Sequence, residues 1–143
     1  MMTVHHLLER KGNDIWSTSP DASVFEAIQL MAEKSIGALL VIDRDELVGI
    51  VSERDYARKV ILKGRSSRET PVRDIMTEKV LYVPPTRSLE ECMVLMTEKR
   101  IRHLPVIADG RLIGVCSVGD VIKAIISEKQ FIIEQLESYI KGW

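Results

Sequence analysis

Gly49-Ile50-Val51-Ser52-Glu53-Arg54-Asp55 and Gly114-Val115-Cys116-Ser117-Val118-Gly119-Asp120 share the frame Gly-x-x-Ser-x-x-Asp. In each, an apolar run after glycine reads as the end of a strand, and the serine reads as the N-cap of a helix. Laying Asp55 on Asp120, an offset of 65, carries Thr18 to Asp55 onto Val83 to Asp120 without a gap. Pro20 then meets Pro85, Ser23 meets Ser88, Glu26 meets Glu91, and Leu30-Met31 meets Leu95-Met96. Glu33-Lys34 meets Glu98-Lys99, Ile36 meets Ile101, Val41-Ile42 meets Val106-Ile107, and Leu47 meets Leu112. Roughly two positions in five are identical, and most of the rest exchange one apolar residue for another. The chain is an internal duplication, and the repeat dictates its architecture.

Working outward, each copy has the same local reading. A short strand comes first, at Ile15-Trp16-Ser17 and at Val80 to Val83. Ser23-x-x-Glu26 and Ser88-x-x-Glu91 have the form of capping boxes that open a helix. Val24, Ala27, Ile28 and Met31 then follow the i, i+3, i+4, i+7 spacing of a buried stripe, repeated by Leu89, Cys92, Met93 and Met96. Two strands follow, Ala38 to Ile42 and Leu47 to Val51, about the turn Asp43-Arg44-Asp45-Glu46. Their counterparts are His103 to Ile107 and Leu112 to Cys116, about Ala108-Asp109-Gly110-Arg111. A second helix starts after Ser52 and after Ser117. The unit is β-α-β-β-α, twice, giving an α/β (α+β) fold. One copy is too small to cover its own sheet, so the two are expected to pack by pseudo-twofold symmetry into one body.

The expected divisions are an N-terminal helical segment (1–14, with a helix over Val4 to Lys11), repeat 1 (15–64) and a linker with a short helix (65–79). Repeat 2 (80–128) and a C-terminal helix extension (129–143) follow. The linker is polar from about Gly64 to Thr70 and ends in a turn of helix over Val72 to Met76. The extension departs from the duplication: Ile125, Ile132, Leu136, Tyr139 and Ile140 fall on one side, and Glu128, Glu134, Glu137 and Lys141 mostly on the other. Such a face needs cover. The partner subunit of a homodimer is the favoured cover, and the chain's own N-terminal helix the alternative.

Composition narrows the function. The 143 residues carry a formal charge of −1, with 45% hydrophobic and 29% charged residues. The charges are mixed, without the basic stripe that binding to nucleic-acid phosphates requires. No apolar run approaches the roughly 20 residues of a membrane span. The N-terminus lacks the basic start and apolar block of a signal peptide, so the cytoplasm is the expected location. Two cysteines, Cys92 and Cys116, fall at core positions and form neither a disulfide scaffold nor a zinc knuckle. Adjacent His5 and His6 would point to different sides of a helix, so no metal site is expected. No phosphate loop, dinucleotide fingerprint or nucleophile elbow occurs, and no catalytic residue or catalytic cofactor is assigned.

The duplicated frame, together with Asp74-Ile75-Met76-Thr77 and Arg102-His103-Leu104-Pro105-Val106, resembles the CBS-domain family, named for cystathionine β-synthase. Two repeats of that family form a Bateman module, here of the stand-alone prokaryotic type. The resemblance implies a non-catalytic regulatory module that binds AMP, ADP, ATP or NAD(H), with S-adenosylmethionine ranked behind them, in clefts between repeats. It also implies a homodimer, and it leaves room for an unidentified protein effector. In the family the aspartate of the frame accepts hydrogen bonds from ribose hydroxyls. Carried over, one cleft gathers Ser52, Arg54, Asp55, Leu81, Tyr82, Arg102 and His103, and the other Ser117, Gly119, Asp120, Trp16, Thr18, Gly37 and Ala38. Only the first holds a cluster of fork-shaped cationic donors suited to phosphate. Gly119, where repeat 1 has Arg54, leaves room in the second cleft. The bare sequence admits another reading, because Ser-x-x-Asp is also an ordinary cap with an acid at the positive end of the helix dipole. A constitutive protein–protein adaptor with vestigial clefts is the rival, and a small nucleotide hydrolase a third possibility without an identifiable nucleophile.

Overall fold

A computed structural model describes residues 2–141. The chain divides into two compact units, Ile15–Leu81 and the segment up to Asp14 taken together with the residues from Tyr82 onward. In the first unit, β1 (Ser17–Thr18) runs parallel to β2 (Ala38–Asp43), which pairs antiparallel with β3 (Glu46–Ser52); α2 (Val24–Lys34) lies between β1 and β2 in sequence. After β3 comes α3 (Glu53–Tyr56), which widens into a π-helical turn over Ala57–Ile61. The second unit contains α1 (Val4–Lys11), α4 (Leu89–Lys99), the antiparallel pair β4 (His103–Ala108) and β5 (Arg111–Ser117), and α5 (Val118–Lys141).

Local chemistry explains most of these elements. Ser23 and Ser88 each accept a hydrogen bond at Oγ from the backbone N–H three residues on, at 3.1 Å in both cases, and so start α2 and α4. Both helices end on a residue in the left-handed region, Ser35 (φ 54°) and Arg100 (φ 55°), where Ile36 and Ile101 donate back to Met31 and Met96 at 3.0 Å. Each hairpin has a two-residue turn with positive φ at both positions, as hairpin twist demands. Arg44 and Asp45 supply it at 52° and 66°, and Asp109 and Gly110 at 51° and 75°. Both ladders break register at the same place, between Val41 and Ile42 and between Val106 and Ile107.

Four expectations are corrected. The first strand of repeat 1 is Ser17–Thr18 rather than Ile15 to Ser17. Its counterpart at Val80 to Val83 shrinks to one bridge, Val83 with Val106. Leu40 donates its N–H to Trp16, whereas the aligned residue, Pro105, has none to give. The helix after Ser52 is not α-helical to its end: Leu62 N–H reaches Ala57 and Arg65 N–H reaches Val60, whose side chain is completely buried. The turn of helix expected over Val72 to Met76 is a 3₁₀ turn, Val72–Asp74, closed by Ile75 N–H to the Val72 carbonyl at 3.0 Å, which Met76 N–H shares.

The segments ahead of each repeat have exchanged places. Pro71 bridges Ser23, and Val72 and Arg73 donate to Ala22 and Pro20, so the segment before repeat 2 completes the unit of repeat 1. Thr3 bridges Ser88, and Val4 and His5 donate to Arg87 and Pro85, so the segment before repeat 1 completes the unit of repeat 2. The match continues in the cores: Val72 and Ile75 are buried with Val24 and Met31, as Val4 and Leu7 are with Leu89 and Met96. The N-terminal helix therefore does not cover the C-terminal extension. Its apolar side shares a core with Val121 and Ala124 at the start of α5, while Phe131, Ile132, Ile133, Leu136 and Ile140 remain exposed.

Candidate functional site

Each unit brings the end of its second long strand, the start of its first, and a helix N-terminus to one corner. In the first unit Ala38 pairs with Ser52, and the Glu53 N–H donates to the Gly37 carbonyl at 3.0 Å. In the second, His103 pairs with Ser117, and the Val118 N–H donates to the Arg102 carbonyl at 2.9 Å. The glycines of the two frames make these corners possible. A Cβ on Gly49 would lie 2.8 Å from Met76 Sδ and 3.0 Å from the Thr77 carbonyl, and one on Gly114 would lie 2.8 Å from Leu8 Cδ2.

The frame aspartates close reciprocal caps. Asp55 N–H donates to Ser52 Oγ at 3.2 Å, while Ser52 N–H and Oγ–H both donate to Asp55 Oδ2, at 3.0 and 3.1 Å. Asp120 N–H donates to Ser117 Oγ at 3.1 Å, and Ser117 N–H returns to Asp120 Oδ2 at 3.0 Å. Each carboxylate also meets an ammonium, but from different sources. Lys59, one turn along the same helix, lies 3.2 Å from Asp55 Oδ1 and donates to the Ile75 carbonyl at 2.9 Å. Lys11, at the end of α1, lies 2.5 Å from Asp120 Oδ2 and donates to the Val115 carbonyl at 2.7 Å.

These neighbours set the charge states. Burial alone would raise the Asp120 carboxyl, but hydrogen bonds from Lys11 and Ser117 together hold it below the ordinary aspartate value. Burial, helped by Lys11 and Arg102 and opposed by Asp120, lowers His103 below its ordinary 6.5, so the imidazole is neutral at pH 7.

The remaining sequence candidates fall as follows. Trp16 is partly exposed with the Lys34 ammonium 4.2 Å above its ring, and Thr18 pairs with Val41. Arg54 is exposed on the first turn of α3. Leu81 and Tyr82 are exposed, at the point in the sequence where one unit ends and the other resumes. A Cβ on Gly119 would meet only Ser117 Oγ, at an ordinary 3.8 Å. Lys11 is absent from the sequence candidates, and the pattern around it signals only that its segment matches the one before repeat 2. Thr3-Val4-x-x-Leu7-Leu8-x-x-Lys11 repeats the pattern of Pro71-Val72-x-x-Ile75-Met76-x-x-Lys79, at an offset slightly longer than that of the repeats.

Chemically, each corner offers a carboxylate that accepts from hydroxyls beside a helix start that attracts anions. Cys116 is buried, and the adjoining Cys92 thiol, together with burial, pushes it far above the ordinary thiol range, which makes it a poor nucleophile. His5 pairs with Glu9 at 2.9 Å, and His6 Nδ1 accepts from Thr3 N–H. Among the described residues no group of three His, Cys, Asp or Glu could hold a metal ion, and no helix is long and apolar enough to cross a membrane.

The family model for the CBS domain matches residues 11–62 and again 72–127. The mitochondrial CBS domain-containing protein CBSX3 of Arabidopsis thaliana is 41% identical over 98% of this chain and 72% of its own length. A CBS-domain protein of Burkholderia ambifaria, assigned to signal transduction, has a solved structure that superposes with a TM-score of 0.86. It is 53% identical and covers 88% of this chain and 95% of its own. A hexameric CBS-CP12 protein from bloom-forming cyanobacteria superposes with a TM-score of 0.75 at 30% identity, over 85% of this chain and 70% of its own.

Proposed function

The chain belongs to the CBS-domain family, with the domain in two copies, and from that premise we propose that it is a non-catalytic regulatory module whose signal is an adenosine nucleotide. AMP, ADP, ATP and NAD(H) are the candidate ligands, ahead of S-adenosylmethionine. The observation that carries this reading is the pair of capped aspartates. Asp55 and Asp120 stand where a strand turns into a helix, each carboxylate oriented by its serine cap as an acceptor for the hydroxyls of a ribose. Ser52 and Ser117 place a hydroxyl beside each. Arg54, Arg102 and the neutral N–H of His103 are the phosphate donors, and Gly119, Gly37 and Ala38 are their uncharged counterparts, which supports unequal affinities for the charged end of a nucleotide.

The test is a thermal-shift panel with AMP, ADP, ATP, NAD, NADH and S-adenosylmethionine. A ligand at a hundred times its dissociation constant adds about 2.7 kcal/mol to stability. Because both aspartates are also caps, the control is the Asp55→Asn, Asp120→Asn double variant, which keeps an amide oxygen for the serine N–H. Stabilisation of the wild type and its loss in the double variant is the expected result. No shift with any ligand overturns the reading.

Self-association is the second part of the proposal. The exposed apolar side of α5 beyond Glu128 supports it, as does the hexameric relative. Light scattering should find a homodimer or larger assembly that Ile133→Glu with Leu136→Glu reduces to monomer. If the same pair leaves the oligomer intact but abolishes capture of another protein, α5 serves an adaptor instead.

A further inference from the structure

The last turn of α1 delivers an ammonium to Asp120, and the matching segment of the first unit does nothing similar for Asp55. There Thr77 and Ile50 exchange backbone hydrogen bonds at 2.9 and 3.0 Å, so the Ile50 carbonyl is satisfied by main chain. In the second unit one flexible side chain does that work: Lys11 Nζ takes the Val115 carbonyl and Asp120 Oδ2 together. Its side chain is 32% exposed and that of Asp120 26%, so the pair sits at the surface of the corner. The rest of α1 is anchored independently. Leu7 and Leu8 are buried, and Val4 N–H donates to the Arg87 carbonyl at 2.9 Å. Lys11 can therefore swing away without unfolding the helix that carries it.

We infer that Lys11 is a built-in competitor for Asp120 and sets the ligand specificity of the second repeat. The inference rests on the reading of Asp120 as a ribose acceptor. A ligand donates its ribose hydroxyls to Asp120 only by displacing the Lys11 ammonium, so hydrogen bonds are exchanged rather than added. Uncharged adenosine gains little from that exchange. A nucleotide gains more, because the displaced ammonium stays beside its phosphate, in the neighbourhood where Lys11 and Arg102 already act on His103. The second repeat thus discriminates phosphorylated ligands from the bare nucleoside.

The experiment is titration calorimetry with adenosine and with AMP in an Asp55→Asn background, comparing Lys11, Lys11→Arg, Lys11→Gln and Lys11→Met. Lys11→Met should bind adenosine about tenfold tighter, the scale of one charge-assisted hydrogen bond. Its preference for AMP over adenosine should fall by a similar factor. Lys11→Gln should follow it, and Lys11→Arg should resemble the parent. In parallel, acetylation of Lys11 in the wild-type protein, read by mass spectrometry, should accelerate when AMP saturates the second repeat. Adenosine affinity unchanged or weakened in both neutral variants overturns the inference while leaving the nucleotide reading intact, and so does AMP binding with no change in labelling. No binding of AMP to any variant, Lys11→Met included, overturns both for this repeat.

Discussion

Repeat 1 and repeat 2 build the same corner, yet the first closes it with main chain and the second with side chains. Over Gly49 lies a Met76 thioether backed by the Thr77 carbonyl, and over Gly114 lies only the branched end of Leu8. Asp55 takes its ammonium from the same helix, four residues on, whereas Asp120 takes it from Lys11, 109 residues away. The first corner is therefore built from one continuous stretch of chain, in which Met76 and Thr77 follow its own hairpin and helix. The second depends on a segment from the opposite end of the sequence.

The largest effects test the exchange of leading segments. Leu7→Ala and Ile75→Ala remove equivalent buried side chains and should each cost about 3 kcal/mol, as large-to-small core substitutions do. Hydrogen exchange separates them. Leu7→Ala should loosen β4 and β5, far from it in sequence, and Ile75→Ala should loosen β2 and β3. Loosening of the repeat that follows each residue in the chain would refute the exchange.

Next come the glycines. Gly49→Ala should cost about 2 kcal/mol, because a backbone carbonyl cannot yield, and Gly114→Ala less than about 1 kcal/mol, because a leucine tip can turn aside. Denaturant midpoints decide the order, and equal losses would mean that the two lids are equally compliant.

Asp120→Asn should lose about 1 kcal/mol at neutral pH, a modest figure for a pair partly screened by solvent. The sign follows from the lowered carboxyl. Its contribution is complete above the ordinary aspartate value of 3.8 and disappears as the pH falls through the lower folded-state value. Wild type and variant should therefore converge in acid, and a difference that persists there would show that the carboxylate charge is not its source.

The smallest effect compares the hairpins. Asp45 and Gly110 occupy the same left-handed position, with φ of 66° and 75°. Asp45→Gly should relieve strain and gain about 0.5 kcal/mol. A loss would mean that the Asp45 side chain supports the turn.

Much of this was legible without the structure, for a physical reason that the residues make plain. Ser23, Ser52, Ser88 and Ser117 act three residues away from themselves, so their caps are written in local sequence. The core stripe of α2 recurs at helical spacing, and the hairpins are marked by short polar turns between apolar runs. Where the local rules failed, one residue usually tells why: Pro105 has no N–H, so the strand of repeat 2 that should answer β1 shrinks to one bridge. The frame of the candidate site was equally legible, but the partner of its second aspartate was not.

The sequence by itself determined the duplication, the order of elements in each repeat and the position of both aspartates at a strand-to-helix turn, because side chains within a few residues of one another control those features. Only the tertiary structure decided that the segment ahead of repeat 1 completes repeat 2, that Leu8 caps Gly114, and that Lys11 lies on Asp120. Those contacts join opposite ends of the chain. Burial of Val4, Leu7 and Leu8 against repeat 2 selects them, and no local pattern around Lys11 names the carboxylate it will meet.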